Sequence, residues 1–119
     1  MGDGAIQMNI QELSTIKLRN IPIKIFVINN HGYSMMRQTQ DDWLHSNYEA
    51  STDSTIGFPS FVEVAKAYGI RTVNIASRDD IYKGIMNTMS GDDPVLCNVD
   101  ISSKYRISPV VKFGEKLDG

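Results

Sequence analysis

Apolar residues recur along this chain in two alternating rhythms. From Ile6 to about Arg19, Ile6, Ile10, Leu13 and Ile16 return at helical spacing, with Gln, Glu, Lys and Arg between them. That spacing predicts an amphipathic helix, ended by Asn20 and Pro22. IKIFVI, residues 23–28, is apolar at almost every position and rich in Ile and Val. Such a strand is expected to be buried on both faces, as in a parallel sheet covered by helices. After Asn29-Asn30 a short helix is predicted near Tyr33 to Gln40, followed by a polar loop. FPSFVEVAKAYG reads as a helix: Pro59 suits its first turn, Ser60 and Glu63 form a capping box, and Gly69 suits the stop. Its apolar face is Phe61, Val62, Ala65 and Tyr68.

IRTVNIA, residues 70–76, returns to the strand rhythm. Ser77 and Asp80 offer a second capping signature, and Ile81, Ile85 and Met89 carry a helix to Gly91. PVLCNVDI, residues 94–101, is the last strand, and the tail from Ser102 is polar and irregular. Strands alternating with helices predict an α/β fold: Rossmann-like layers with a mostly parallel sheet flanked by helices. No internal domain boundary, repeat or low-complexity segment interrupts this order.

The 119 residues suffice for one modest domain with one core. Net charge is −2 with no block of Lys or Arg, which argues against a nucleic-acid or membrane surface. No apolar run approaches the roughly 20 residues of a membrane helix, and no secretory leader pattern is present. A lone cysteine, Cys97, has no internal disulfide partner, so a reducing cytoplasm is expected.

Candidate chemistry lies in two turns. Right-handed crossovers are expected to set successive parallel strands side by side with their carboxyl ends on one edge. A helix of about 13 residues climbs roughly 20 Å, and a strand of about six residues returns about the same distance. Gly2-Asp3-Gly4 and Asn29-Asn30 then meet at the edge where open α/β sheets bind ligands. Asp3 offers a carboxylate oxygen, Asn30 an amide oxygen and Gly32 a backbone carbonyl. Mg²⁺ takes such oxygens and completes its shell with phosphates and water. The first turn of the helix after Asp3 favours an anion. A metal and a diphosphate together satisfy this edge.

GDG, 24 residues (Ala5 to Ile28) and NN resemble the cofactor motif of thiamine diphosphate-dependent enzymes. QMNIQELSTIKLRNIPIKIFVINNHGYSMMRQTQ, FPSFVEVAKAYGI, DDPVLCNVDI and the closing SPVVKFGEKLDG are similar to the acetolactate-synthase-like branch, which includes 2-oxo acid decarboxylases and carboligases. The resemblance covers nearly the whole chain. It implies Asp3, Asn30 and the Gly32 carbonyl as metal ligands. It implies Gly2, Asp3, Gly4, Ala5, Ile6, Asn30, Gly32 and Tyr33 around thiamine diphosphate, with backbone amides near Gly4, Ala5 and Ile6 on the diphosphate. Met35 and Met36 fall where the family lines its thiazolium and substrate pocket. Whether FAD also binds is left open.

The resemblance also implies missing parts. Residues 1–119 correspond to a C-terminal thiamine diphosphate-binding domain truncated at its N-terminus, without the strand leading into GDG. The pyrimidine-binding domain, with the glutamate that activates the cofactor, precedes this domain in the family. Glu12, Glu49 and Glu63 fall on helix faces and loop and are not substitutes. The chain alone is then expected to be inactive and poorly stable, needing a pyrimidine-domain partner or subunit and forming a homo-oligomer when complete. A non-catalytic or split-subunit module is the alternative. A generic nucleotide-binding Rossmann domain is disfavoured because no GxGxxG follows a strand.

Other residues carry ordinary expectations. His31 and His45 are expected as solvated loop residues, with no zinc spacing around them. Arg37, Asp41, Asp42 and Trp43 suit a solvated surface better than a substrate-closing loop. Cys97 is expected to be a buried small hydrophobe, and Tyr105 and Phe113 to pin the tail to the domain or to a missing partner domain.

Overall fold

A computed structural model describes residues 1–110 of the chain; residues 111–119 of the closing segment, Phe113 among them, lie outside the described residues. The elements are α1 (Asp3–Gln7), α2 (Glu12–Leu18), β1 (Lys24–Asn29), α3 (Ser34–Trp43), α4 (Asp53–Ile56), α5 (Phe61–Ala67), β2 (Arg71–Ile75), α6 (Ile81–Met89) and β3 (Val95–Asp100). The three strands form one parallel sheet in the order β1-β3-β2.

That order corrects the expectation that successive strands lie side by side. β3, last in sequence, sits in the centre. Val95, Leu96, Cys97 and Asn98 are all buried there, because neighbours cover both strand edges and helices cover both faces. β1 has the most apolar sequence yet buries only Val27 fully, and Ile28 is 40% exposed. Burial on both faces does not hold for β1, whose outer edge, among the described residues, is met by Met1–Gly2. There Gly2 bridges Ile28 in parallel, and Met1 O accepts from Ile28 N at 2.8 Å.

One face of the sheet packs Val27 and Leu96 against Ile6, Leu13, Phe61, Ala65 and Ile70. The other gathers Val73, Ile75, Val95 and Cys97, with Phe26 and Val99 at the margin, under α6. Helices therefore lie on both faces, as the α/β reading requires.

The first predicted helix is divided. Between α1 and α2 the winding tightens, with Met8 N bonded to Ala5 O, Asn9 N to Ile6 O and Glu12 N to Asn9 O. Asn9 competes for backbone hydrogen bonds and favours such a tighter turn. The apolar stripe survives: Ile6 and Leu13 are buried, and Ile10 and Ile16 pack beside them. α5 starts where its cap predicts, Ser60 Oγ accepting from Glu63 N at 3.3 Å. Its inward stripe is Phe61, Val64, Ala65 and Tyr68, with Val64 where Val62 was expected.

α6 forms where the spacing predicts, but the residues that carry that spacing do not face the sheet. Ile81, Ile85 and Met89 are exposed, and the buried residues are Gly84 and Thr88. A Cβ on Gly84 would lie 2.4 Å from Ile75 Cγ1, so the helix approaches the sheet through its one residue without a side chain.

Candidate functional site

The site forms where the chain enters α1 and leaves β1. Asp3 opens α1 and is 3% exposed. Its Oδ1 accepts from Gly4 N at 2.7 Å, and its Oδ2 accepts from Gly32 N at 3.0 Å. The two predicted turns, 29 residues apart in this bond, meet as expected.

Asn30 joins them. Its amide can be set either way round. With the oxygen inward, Oδ1 lies 3.0 Å from Asp3 Oδ2 and 2.5 Å from Gly32 O, so three oxygens converge with no proton among them. With the nitrogen inward, the same two contacts are hydrogen bonds donated by Nδ2, and the outward Oδ1 accepts from Ser34 Oγ at 3.0 Å. The nitrogen-inward state satisfies the apo protein; the oxygen-inward state needs a cation at the convergence. One carboxylate, one amide oxygen and one backbone carbonyl form a hard-oxygen set that fits Mg²⁺ and leaves room for phosphate oxygens in its shell. Among the described residues no cluster of three His, Cys, Asp or Glu side chains offers a competing metal site.

Two glycines make this convergence possible. A Cβ on Gly4 would stand 2.1 Å from Tyr33 Cε1, so the Tyr33 ring lies directly on the Gly4 backbone. Tyr33 is held there edge-to-face against Phe58 (centroids 5.7 Å apart, planes at 87°) and by its N–H on Ser51 O at 3.0 Å. Gly32 has φ +139°, and a Cβ there would meet Ser51 O at 2.3 Å and Arg37 Nη1 at 2.9 Å. Gly2 faces open space. Of the three amides predicted for an anion, Gly4 N is engaged by Asp3 and Ile6 N by Gly2 O. Ala5 N–H has no such partner among the described residues.

Met35 and Met36 are exposed. Met35 lines a cavity of about 620 Å³ with Thr39, Trp43, Ile107 and Val110, whereas Met36 is not among its walls. Glu12, Glu49 and Glu63 are all exposed, as expected.

Arg37 overturns its surface expectation: it is 5% exposed. Its Nη1 donates to His31 O and its Nη2 to Asn30 O, each at 3.0 Å, so the guanidinium holds the loop that carries Asn30 and Gly32. The missed signal was helical spacing. Tyr33, Arg37 and Gln40 stand at i, i+4 and i+7, and Arg37 and Gln40 are the buried residues of α3. Gln40 reaches Glu49 O and accepts from the buried Ser51 Oγ, which fixes the backbone behind Gly32.

Asp41 is half-buried and takes hydrogen bonds from Tyr48, Ser46 and Arg106. The Tyr48 hydroxyl, and then Arg106, hold its carboxyl below the usual range. Asp42 and Trp43 are exposed, as expected. His31 lies on the surface with Nε2 3.1 Å from Asp100 Oδ1, and His45 is exposed. Cys97 is buried, and that burial pushes its thiol up, against nucleophilic use. Tyr105 is exposed, so it does not pin the tail to this domain; Gln38 does, exchanging two hydrogen bonds with Ile107.

Residues 1–99 match the family described as thiamine pyrophosphate enzyme, C-terminal TPP binding domain. The chain is 32% identical over 114 residues to the acetolactate synthase large subunit of Parasynechococcus marenigrum (strain WH8102), covering 96% of this chain and 18% of that protein. It is 34% identical over 114 residues to the large subunit of Cyanidium caldarium (96% and 19%). It is 32% identical over 113 residues to the isozyme 2 large subunit of Escherichia coli (strain K12) (95% and 20%). The chain thus spans about a fifth of the length of these relatives.

Proposed function

The chain belongs to the family of C-terminal TPP-binding domains of thiamine pyrophosphate enzymes, and from that membership we propose that it grips the cofactor's diphosphate through Mg²⁺. Asp3, Asn30 and the Gly32 carbonyl are the protein's ligands in this reading, with amides near Ala5 on the diphosphate. The observation that carries it is the Asn30 amide set between the Asp3 carboxylate, 3.0 Å from Oδ2, and the Gly32 carbonyl oxygen, 2.5 Å away, so that turning its oxygen inward brings three oxygen donors to one place.

The residues of the chain would divide the work. Asp3 brings the negative charge that a divalent ion requires and ties α1 to the β1 loop. Gly32 turns its carbonyl inward where any side chain would strike Ser51. Arg37 holds the loop by two carbonyls, so the ligand oxygens need little rearrangement on binding. Tyr33 seals Gly4 from one side. Thiamine diphosphate, when bound, supplies the electron sink for cleaving or forming a bond next to a carbonyl.

By likeness to the acetolactate synthase large subunits, the complete protein acts on a 2-oxo acid by decarboxylation and carboligation. It works in a reducing cytoplasm and assembles with a pyrimidine-binding domain or subunit into a homo-oligomer. The exposed apolar residues of α3 and α6 support such a partner. The same surface also suits a non-catalytic module paired with a related subunit.

Calorimetric titration with thiamine diphosphate, with and without Mg²⁺, tests the metal reading. Binding is expected to require Mg²⁺ and to weaken about 100-fold or more in Asp3→Ala, with the circular-dichroism spectrum retained. Metal-independent binding, or an unchanged affinity in Asp3→Ala, would overturn it.

A further inference from the structure

Behind the Asn30–Gly32 loop lies a second cavity, of about 440 Å³, whose walls include Arg37, Lys104, Arg106, Ser54 and Ser103. None of Asp3, Gly4 or Asn30 lines it. Among the described residues its lining leans positive. Arg106 is neutralised by Asp41, and His31, at the rim, faces Asp100. Arg37 and Lys104 have no carboxylate within ion-pair distance among the described residues.

Arg37 is the unusual member. A guanidinium cannot lose its proton in a protein, and burying it among neutral groups is costly. Here it is 5% exposed, its Nη atoms donate to two neutral carbonyls, and its Nε–H has no acceptor among the described residues. A buried cation with an idle donor and a second cation across the cavity calls for an oxyanion. Ser54 and Ser103 also line the cavity, the Ser54 hydroxyl paired with Thr52 Oγ1 at 2.8 Å.

We propose that this cavity is an anion site, filled by the carboxylate or phosphate of a small molecule that pairs with Arg37 and Lys104. Carboxylate and phosphate share the geometry that the guanidinium fork recognises. The site is separate from the metal convergence, and the loop between them, held by Arg37, touches both. An occupant would draw on the same guanidinium that fixes the Asn30 and His31 carbonyls.

The test is titration of the purified chain, free of Mg²⁺ and thiamine diphosphate, with sodium phosphate and separately with sodium acetate at constant ionic strength. Chemical-shift changes report binding, and acetamide serves as the neutral control. Saturable binding of one anion at a single site is expected, and the tighter one identifies the occupant's group. Lys104→Met should weaken it about fivefold or more, and Arg37→Met should abolish it. Lys104 is exposed, so its variant remains informative should Arg37→Met fail to fold. Asp3→Ala should change this affinity less than twofold, which separates the outcome from that of the metal site. Failure of both anions to bind, equal binding of acetamide, an unchanged Lys104→Met, or loss in Asp3→Ala would each overturn the proposal.

Discussion

At the scale of single residues, the site depends on two missing side chains more than on any that are present. Tyr33 Cε1 occupies the space of a Gly4 Cβ at 2.1 Å, whereas Gly2 has nothing within 4 Å. Gly4→Ala is therefore expected to destabilise the chain by about 1–3 kcal/mol, while Gly2→Ala stays within about 0.5 kcal/mol. Denaturant titrations of both variants check this, and Gly4→Ala/Tyr33→Ala should recover part of the loss if the ring is the obstacle. The sequence made Asp3, Asn30 and Gly32 legible because their spacing spans one helix and one strand. Arg37 was illegible because a charged residue beside two methionines reads as surface. Only the packing of α3 shows that its polar side is the buried one.

Among elements, α3 and α6 share this inversion. α3 buries Arg37 and Gln40 and exposes Met35, Met36 and Trp43; α6 buries Gly84 and Thr88 and exposes Tyr82 and Met86. Periodicity located both helices but not the face that turns inward, because it assumes that apolar residues meet their own core. At the opposite edge of the sheet, the start of β2 is clamped to the turn before β3. Arg71 Nε donates to Asp93 Oδ2 at 2.7 Å, and its Nη atoms reach Asn87 and Ser90 carbonyls. The Arg71 hydrogen bond holds the Asp93 carboxyl below its ordinary range. A depressed carboxyl contributes stability that is full above the unfolded value of about 4 and is lost as pH falls through the lower folded one. The melting temperature is thus expected to fall on acidification below that point, and less steeply in Asp93→Asn than in the unaltered chain. Parallel slopes would exclude the clamp as a source of acid sensitivity. Ser60→Ala, which removes the only side-chain cap on α5, should lower stability by about 1 kcal/mol in the same assay.

At the scale of the whole molecule, the described residues have a radius of gyration of 16.8 Å, against roughly 13 Å for a compact domain of about this length. Much apolar surface accompanies that extension, including Ile81, Tyr82, Ile85, Met86 and Met89 along α6. Patches of this kind mark surfaces that bind other protein. The purified chain is expected to self-associate in a concentration-dependent way by light scattering. Tyr82→Lys/Met86→Lys should reduce that association while leaving the melting temperature nearly unchanged; equal scattering would show that α6 is not the sticky face. By itself the sequence determined the succession of helices and strands, the parallel α/β class and the joining of Asp3 to Asn30. Each of these follows from local periodicity or from the fixed rise of one helix and one strand. Tertiary structure alone decided that β3 lies between β1 and β2, that Arg37 turns inward, and that the apolar sides of α3 and α6 face out. Those outcomes depend on which surfaces compete for the two faces of a three-stranded sheet, a contest between segments distant in the chain that local spacing does not encode.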